Sequence, residues 1–382
     1  MDIQKDILSV EQNITPFDID EIIGIAKRDK NTKRSFLLVN KLQSKHYPSD
    51  PNKTDMLFSL LAKTVQNKFS DKNNVLVVGF AETAVTIGAY IAAAFENSYY
   101  IQTTRETIKN KDFLTFSEVH SHAVTHRLYT DNLQEIIENC DLIIIADDEF
   151  TTGNTALNLI KTLKSNFNIQ HSCKICMASI FNCVKDEHLL RIKENNIEII
   201  SLVTAQLNSE KLKFPYEFSK DDDIIYRSKK EIDFDEIGGK AVPYMVINTK
   251  QYIQSCENFI SEILRKLQPI NPSENILVVG TEEFSLCALK LGKILKQTVN
   301  NVNVQCTTQS PILPSSDKNY IINNRISFES LYNPERTTYL YQLKHYGTII
   351  ILTDSENPSE NVIKQLTDKI DADKIFFIKW RN

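Results

Sequence analysis

Glycine is scarce in this chain: nine residues in 382, where an average protein of that length carries roughly three times as many. Each one kept is therefore expected where a side chain would obstruct. Gly79, Gly153 and Gly280 stand beside apolar runs, where α/β proteins place ligand loops. No apolar run reaches the ~20 residues that span a bilayer, so no membrane partner is expected. There is no basic excess either: 44 Lys and Arg against 49 Asp and Glu give a net charge of −5, which argues against nucleic acid as a partner. The opening MDIQKDILSVEQN lacks the basic-then-apolar order of a signal peptide. Seven scattered cysteines, an odd number, argue against a disulfide framework and for the cytoplasm.

What is present suffices for a folded chain of two or three domain equivalents: 42% hydrophobic and 24% charged residues. Short aliphatic runs at 75–78, 142–146, 197–203, 276–279 and 349–352 lack the alternation of half-exposed strands and read as buried parallel strands. Helical patterns lie between them at 54–69, 83–95, 155–167, 251–267 and 285–296, with Thr54 as the expected N-cap of the first. This alternation predicts a doubly wound α/β fold.

The chain also repeats itself. NVLVVGFAE at 74–82 matches NILVVGTEE at 275–283, IQTTR at 101–105 matches VQCTTQ at 304–309, and IIIADD at 143–148 matches IIILTD at 349–354. Three matches in the same order indicate duplication, the second α/β unit being a degenerate relative of the first. The polar stretch 208–243 holds the expected junction, giving domains at 1–230 and 231–382.

The most informative segment is LIIIADDEFTTGNT at 142–155, followed by a helical pattern. A buried strand delivers Asp147 and Asp148 to the carboxyl edge of a sheet, where α/β ligand sites form. A small loop then opens a helix whose free amides and dipole favour phosphate. Thr151, Thr152, Asn154 and Thr155 add polar groups, and Gly153 allows close backbone approach. The two aspartates suit vicinal sugar hydroxyls or a hydrated magnesium ion. Together these residues read ribose 5-phosphate, and the spacing resembles the PRPP-binding signature of type I phosphoribosyltransferases.

Other segments complete the expected site. Gly79, Phe80, Ala81, Glu82 and Thr83 form a strand-to-helix loop, with Thr83 as the expected N-cap; the resemblance to phosphoribosyltransferases implies that it holds pyrophosphate, with Glu82 toward magnesium or its water. The polar stretch 103–127, carrying Arg105, His120 and His122, reads as a cationic lid that meets charge on a leaving pyrophosphate. A zinc site from His120, His122 and His126 is the alternative. RSFLLVNKLQSKHYP at 34–48 reads as a hood whose Lys45 and His46 face an anionic substrate. Cys173 and Cys176, three apart in a strand-like run, point to opposite faces and make no redox or zinc pair.

RSFLLVNKLQSKHYP, GFAET, TTRE, HSHAVTH, ADDEFTTGNTALNLI, GTEEF and TTQSPI run in an order that resembles the bacterial phosphoribosyltransferase proteins with a C-terminal TRSP domain, found in tellurite-resistance and stress-response gene clusters. Gln309 stands where that family's TTRSP motif has arginine. The resemblance implies an enzyme of nucleotide-type metabolism: Mg-PRPP as substrate, an unidentified small-molecule acceptor, pyrophosphate release and a nucleoside-like product. A homodimer is a further expectation. A PRPP- or nucleotide-sensing module, and a hydrolytic or phosphorylase-like nucleoside enzyme, are the other readings.

Overall fold

A computed structural model describes residues 7–29, 34–116, 126–208, 210, 212–219, 230–267 and 270–382. The aliphatic runs become strands longer than themselves, because hydrogen bonding continues past the last apolar residue toward each ligand loop. In the first sheet the order is Leu8–Asn13, Ile197–Leu207, Lys174–Asn182, Leu142–Phe150, Val75–Gly79, Ser98–Gln102 and Ile247–Asn248. Its five inner strands are parallel and its two edge strands antiparallel. Val75–Val78 and Leu142–Ala146 are wholly buried, as a parallel sheet covered on both faces requires.

The second sheet repeats this order with Glu231–Ile237, Ala372–Trp380, Tyr346–Thr353, Asn275–Gly280 and Asn301–Cys306, all parallel. The likeness extends to single hydrogen bonds. The Ala81 amide donates to Thr103 Oγ1 at 2.9 Å and the Glu282 amide to Thr307 Oγ1 at 2.9 Å. The Thr103 amide donates to the Gly79 carbonyl at 3.0 Å, and that of Thr307 to Gly280 at 2.9 Å. Even the hairpins after each TT pair correspond: Phe113–Phe116 with His126–Tyr129, and Arg325–Glu329 with Thr337–Tyr341. One strand breaks the pattern. The outer strand of the second sheet, Glu231–Ile237, precedes its unit in the chain, whereas its counterpart Ile197–Leu207 follows.

Two expected caps are corrected. The first long helix is Pro51–Lys68, capped by Asp50, whose carboxylate accepts from the amides of Asn52 and Lys53; Thr54 lies inside the helix. Proline at the first position has no amide to satisfy and a preset φ, so the helix starts there. Thr83 caps nothing: helix Val85–Ala93 begins after Ala84 with no side-chain cap, and the Thr83 hydroxyl is used in the site.

The two units pack about an approximate two-fold axis. Helix Pro51–Lys68 meets Leu286–Leu295, Val85–Ala93 meets Thr249–Lys266, and Val85–Ala93 meets Leu286–Leu295. Each helix thus contacts the counterpart of its neighbour. Gly292 permits this closeness, since a Cβ there would sit 2.3 Å from Val304 Cγ2 and 3.5 Å from Pro51 Cβ. Val75–Val78, Ile276, Val278, Leu286, Leu289, Leu291 and Trp380 share one continuous core, so the units fold against each other over apolar surface.

Because Asp50 starts the helix that carries this interface, Asp50→Ala should lower the unfolding free energy by about 1 kcal/mol. Denaturant unfolding of the full chain measures it, and an unchanged midpoint would show that the cap contributes nothing.

Candidate active site

Strand Leu142–Phe150 carries Asp147, Asp148 and Glu149 to the carboxyl edge of the first sheet. Burial, the neighbouring Asp148 and Glu149 together push the Asp147 carboxyl well above the usual carboxylate range. Its Oδ1 accepts from the Asp148 amide at 2.9 Å. Asp148 is half-buried and accepts from the Thr83 hydroxyl at 2.8 Å, which ties the acidic pair to the Gly79–Thr83 loop. Glu149 pairs with Arg34 of the hood at 2.6 Å.

Helix Asn154–Asn166 begins on Gly153 at φ +68° with no side-chain cap. Among the described residues the amides of Gly153, Thr155 and Ala156 have no protein acceptor. Free amides at a helix start form an anion cradle. A Cβ on Gly153 would meet Ile192 Cδ1 at 2.9 Å and Met177 Cε at 3.2 Å, so helix Asp186–Glu194 presses the loop from behind. Thr151 and Thr152 stand half-exposed at the mouth.

In the Gly79–Thr83 loop, Phe80 and Ala81 use their amides within the unit, on the Ala146 carbonyl at 3.0 Å and on Thr103 Oγ1. The amides of Glu82 and Thr83 donate to no acceptor among the described residues. Two free amides beside an acidic pair suit a pyrophosphate with its cation.

The hood differs from expectation. Phe36–Asn40 pairs with Ile23–Lys27 and the chain then turns into the crevice between the units. Lys45 is fully buried, donates to the Glu282 carbonyl and lies 3.8 Å from Glu82. It faces the second unit, not an open cleft, because the buried glutamates draw it there. His46 is also buried; desolvation pushes its imidazole down to about 4 against the pull of Glu82 and Asp148, and neither ring nitrogen has a partner. It is a neutral donor–acceptor, not a cation for an anionic substrate. Gln43 joins the site by donating to the Thr83 carbonyl at 2.8 Å.

The expected lid is partly a hairpin. His120 and His122 lie outside the described residues. His126, a candidate zinc ligand, stacks on Phe116 at 5.3 Å and is likewise pushed by burial down to about 4. Arg105 Nη1 donates to Gln309 Oε1 at 3.0 Å and lies 3.6 Å from Glu82, while its buried Nε is unpartnered. Cys173 precedes strand Lys174–Asn182 while Cys176 is buried within it, and all seven cysteines are free. Among the described residues, no group of three or more His, Cys, Asp or Glu side chains is placed to hold a metal.

Sequence reasoning missed the cluster where the units meet. Glu82 accepts from the Gln309 amide through both oxygens, at 3.1 and 3.2 Å. Burial raises its pKa, but Lys45, Arg105 and Thr308 outweigh that and hold the carboxyl below the usual range. Glu282 accepts from Gln309 Nε2 at 2.7 Å and from Ser330, and pairs with Arg336 at 3.2 Å. Glu283, the counterpart of Glu82 in the repeat, is buried with both oxygens unpartnered. Burial, Glu282 and Glu82 push it up to about 8, with Lys45 and Arg105 only partly opposing. The signal was available in the offsets, which make Arg105 and Gln309 counterparts.

The second unit ties down the strand end that corresponds to the acidic pair of the first. Asp354, aligned with Asp148, accepts from the Tyr332 hydroxyl at 2.5 Å and faces Lys240 at 3.7 Å. Thr353, aligned with Asp147, accepts from Thr281 at 2.9 Å. Helix Glu360–Lys369 is capped by Ser359, whose hydroxyl accepts from the Val362 amide at 3.2 Å. There the chain's own hydroxyl takes one amide, Pro358 has none to give, and Glu360 adds negative charge at the helix start.

Comparison with known proteins defines the class. Residues 22–206 match the family described as phosphoribosyl transferase, and the chain is on that match a transferase enzyme. Residues 248–370 match the TRSP domain that lies C-terminal to that transferase domain; the chain thus joins a phosphoribosyl transferase domain to a TRSP domain. Solved structures similar to it include the adenine phosphoribosyltransferases of Thermoanaerobacter pseudethanolicus (15% identity, 49% of this chain and 97% of that chain, TM-score 0.34) and Rhodothermus marinus (14%, 49% and 96%, 0.34). The enzyme of Giardia lamblia, complexed with 9-deazaadenine, aligns at 14% identity over 47% of this chain and 92% of that chain, TM-score 0.33. At these scores the α/β assignment rests on the chain's own topology. No curated protein matches the chain.

The buried acids and imidazoles set a pH dependence. Glu283 keeps its proton in the fold up to about 8, against 4.5 for an ordinary glutamate, so stability falls as pH rises through that interval. His46 and His126, held at about 4 against 6.5, act oppositely, losing stability as pH falls from 6.5 to 4. Above pH 6.5 those histidines no longer contribute. Glu283→Gln should therefore flatten the decline in unfolding free energy between pH 6.5 and 8; an unchanged slope would refute this role.

Proposed function

We propose that the chain transfers the 5-phosphoribosyl group of PRPP to a small-molecule acceptor and releases pyrophosphate, working in the cytoplasm, where its free cysteines stay reduced. The observation that carries this reading is the uncapped helix start at Gly153 beside Asp147 and Asp148, set against its capped counterpart at Ser359. The 5-phosphate sits on the amides of Gly153, Thr155 and Ala156, with Thr151, Thr152 and Asn154 at the rim. Asp147 and Asp148 accept from the ribose hydroxyls, and the pyrophosphate lies on the free amides of Glu82 and Thr83. The acceptor attacks the anomeric carbon from the opposite face; the carbon–oxygen bond to pyrophosphate breaks as the new bond forms.

Asp147 and Asp148 are the residues that would hold the magnesium carried by PRPP, and the raised Asp147 carboxyl fits a site where a cation offsets its burial. Magnesium supplies charge neutralisation to the pyrophosphate. The protein's own share is placement and donation, which suits an oxocarbenium-like transition state. Arg105 offers its unpartnered Nε–H to the leaving group, and His120 and His122 belong to the same proposed lid. The product is a nucleoside- or nucleotide-like metabolite of the stress-response setting that the family resemblance implies.

Asp147→Asn with Asp148→Asn should weaken PRPP by about 1–3 kcal/mol per charged hydrogen bond lost, read by calorimetry. Unchanged affinity would remove the pair from the site. Tight PRPP binding without acceptor-dependent pyrophosphate release would instead identify a sensing module.

The asymmetry of the units gives a second expectation. Titration should find one PRPP site per chain, abolished by Gly153→Val and untouched by Ser359→Val. Two equivalent sites in the wild-type chain would contradict the specialisation of the halves.

A further inference from the structure

Arg105 and Gln309 are counterparts in the repeat, and they touch each other: Arg105 Nη1 donates to Gln309 Oε1 at 3.0 Å. A residue can meet its own counterpart only close to the two-fold axis that relates the units. The end of the strand that carries the TTRE segment, beside the pyrophosphate loop, therefore lies close to that axis. Gln309 makes two further bonds there. Its amide holds both oxygens of Glu82, at 3.1 and 3.2 Å, and its Nε2 donates to Glu282 at 2.7 Å.

We propose that Gln309 of the TRSP unit is a positioning residue that fixes Arg105 and the Gly79–Thr83 loop for the pyrophosphate of the substrate. The inference rests on the reading of that loop given above and assigns a role to the second unit, whose own helix start is capped by Ser359. The geometry supports a specific division of labour. Arg105 has its Nη1 occupied by Gln309, its carbonyl held by Arg127 at 2.6 Å, and its buried Nε without a partner. A guanidinium anchored at one nitrogen and unpaired at another is oriented for one more acceptor, and a phosphate oxygen is suited to it. Gln309 is a better anchor than a cation here: it accepts from Arg105 and donates to Glu282 at once, which an ammonium or guanidinium cannot do.

The test uses the full chain with two probes, inorganic pyrophosphate with magnesium and ribose 5-phosphate, each titrated by calorimetry, so the acceptor need not be known. Gln309→Met keeps the length of the side chain and removes both polar atoms. It should weaken pyrophosphate about tenfold, the loss of roughly one charge-assisted hydrogen bond, and leave ribose 5-phosphate, which sits at the Gly153 helix start, within about twofold. Gln309→Ala, free of any overpacking, is measured alongside with the same expectation. Arg105→Ala should reproduce the loss, and adding Gln309→Met to it should cost nothing more, because Gln309 acts through Arg105. Unchanged pyrophosphate affinity in both Gln309 variants, or equal loss of both probes, overturns the positioning role while leaving the transferase reading standing. Wild-type protein that binds neither probe overturns that reading, and this inference with it.

Discussion

Glu82 is an ionised carboxylate buried where two units meet, and a buried charge is tolerated only with partners on every side. Its partners come from three distant parts of the chain: Lys45 from the hood, Arg105 from the end of the adjacent strand, and the Gln309 amide from the second unit. Withdrawing both cations would leave the glutamate uncompensated, at a cost of about 3–5 kcal/mol for a broken buried pair, and the amide adds a further hydrogen bond to it. Hood, transferase sheet and TRSP sheet are thereby fixed to one another at the rim of the pyrophosphate loop. The shared apolar core supplies the bulk of the attraction, but it is non-directional. The glutamate cluster gives the register.

The halves began from one plan and have divided its features between them. Both deliver a G-x-x-E-type loop, a TT pair and an acidic strand end to the same places, with the same main-chain hydrogen bonds. Only the first leaves its helix start without a side-chain cap. In the second, Ser359 caps the helix, Pro358 has no amide to give, and Tyr332 and Lys240 occupy Asp354. An acidic strand end occupied by the chain's own donors, beside a capped helix start, is a poor seat for a phosphate. The second unit is free to act as a fused partner, and the contact between Arg105 and Gln309 marks where it does so.

Much of this was legible in the linear order of residues. Runs of Val, Ile and Leu without alternation dictate buried parallel strands, and DDEFTTGNT after such a run dictates an acidic strand end followed by a helix start. Gly153 adopts φ +68° at that start, a conformation glycine enters freely. The offset matches at 74, 101 and 143 announced the second unit, because a repeated strand order is written in repeated strand sequences. These features are local, and local chemistry is what a sequence states directly.

The tertiary structure alone decided which way the charged side chains turn. Lys45 and His46 read as groups for an anionic substrate, yet Lys45 is drawn to Glu282 and Glu82, and burial keeps His46 neutral. Thr83 and Thr54 read as helix caps, but the caps fall elsewhere and the Thr83 hydroxyl serves Asp148. Glu82 read as a magnesium contact, and the closed fold makes it an anchor between the units. Each of these outcomes depends on a partner more than forty residues away or on the neighbouring turn of backbone, and on how far water is excluded between them. The sequence determined that the strands, the phosphate loop and the two halves would exist. The burial created when the halves closed on each other decided the charge state and the orientation of the residues between them.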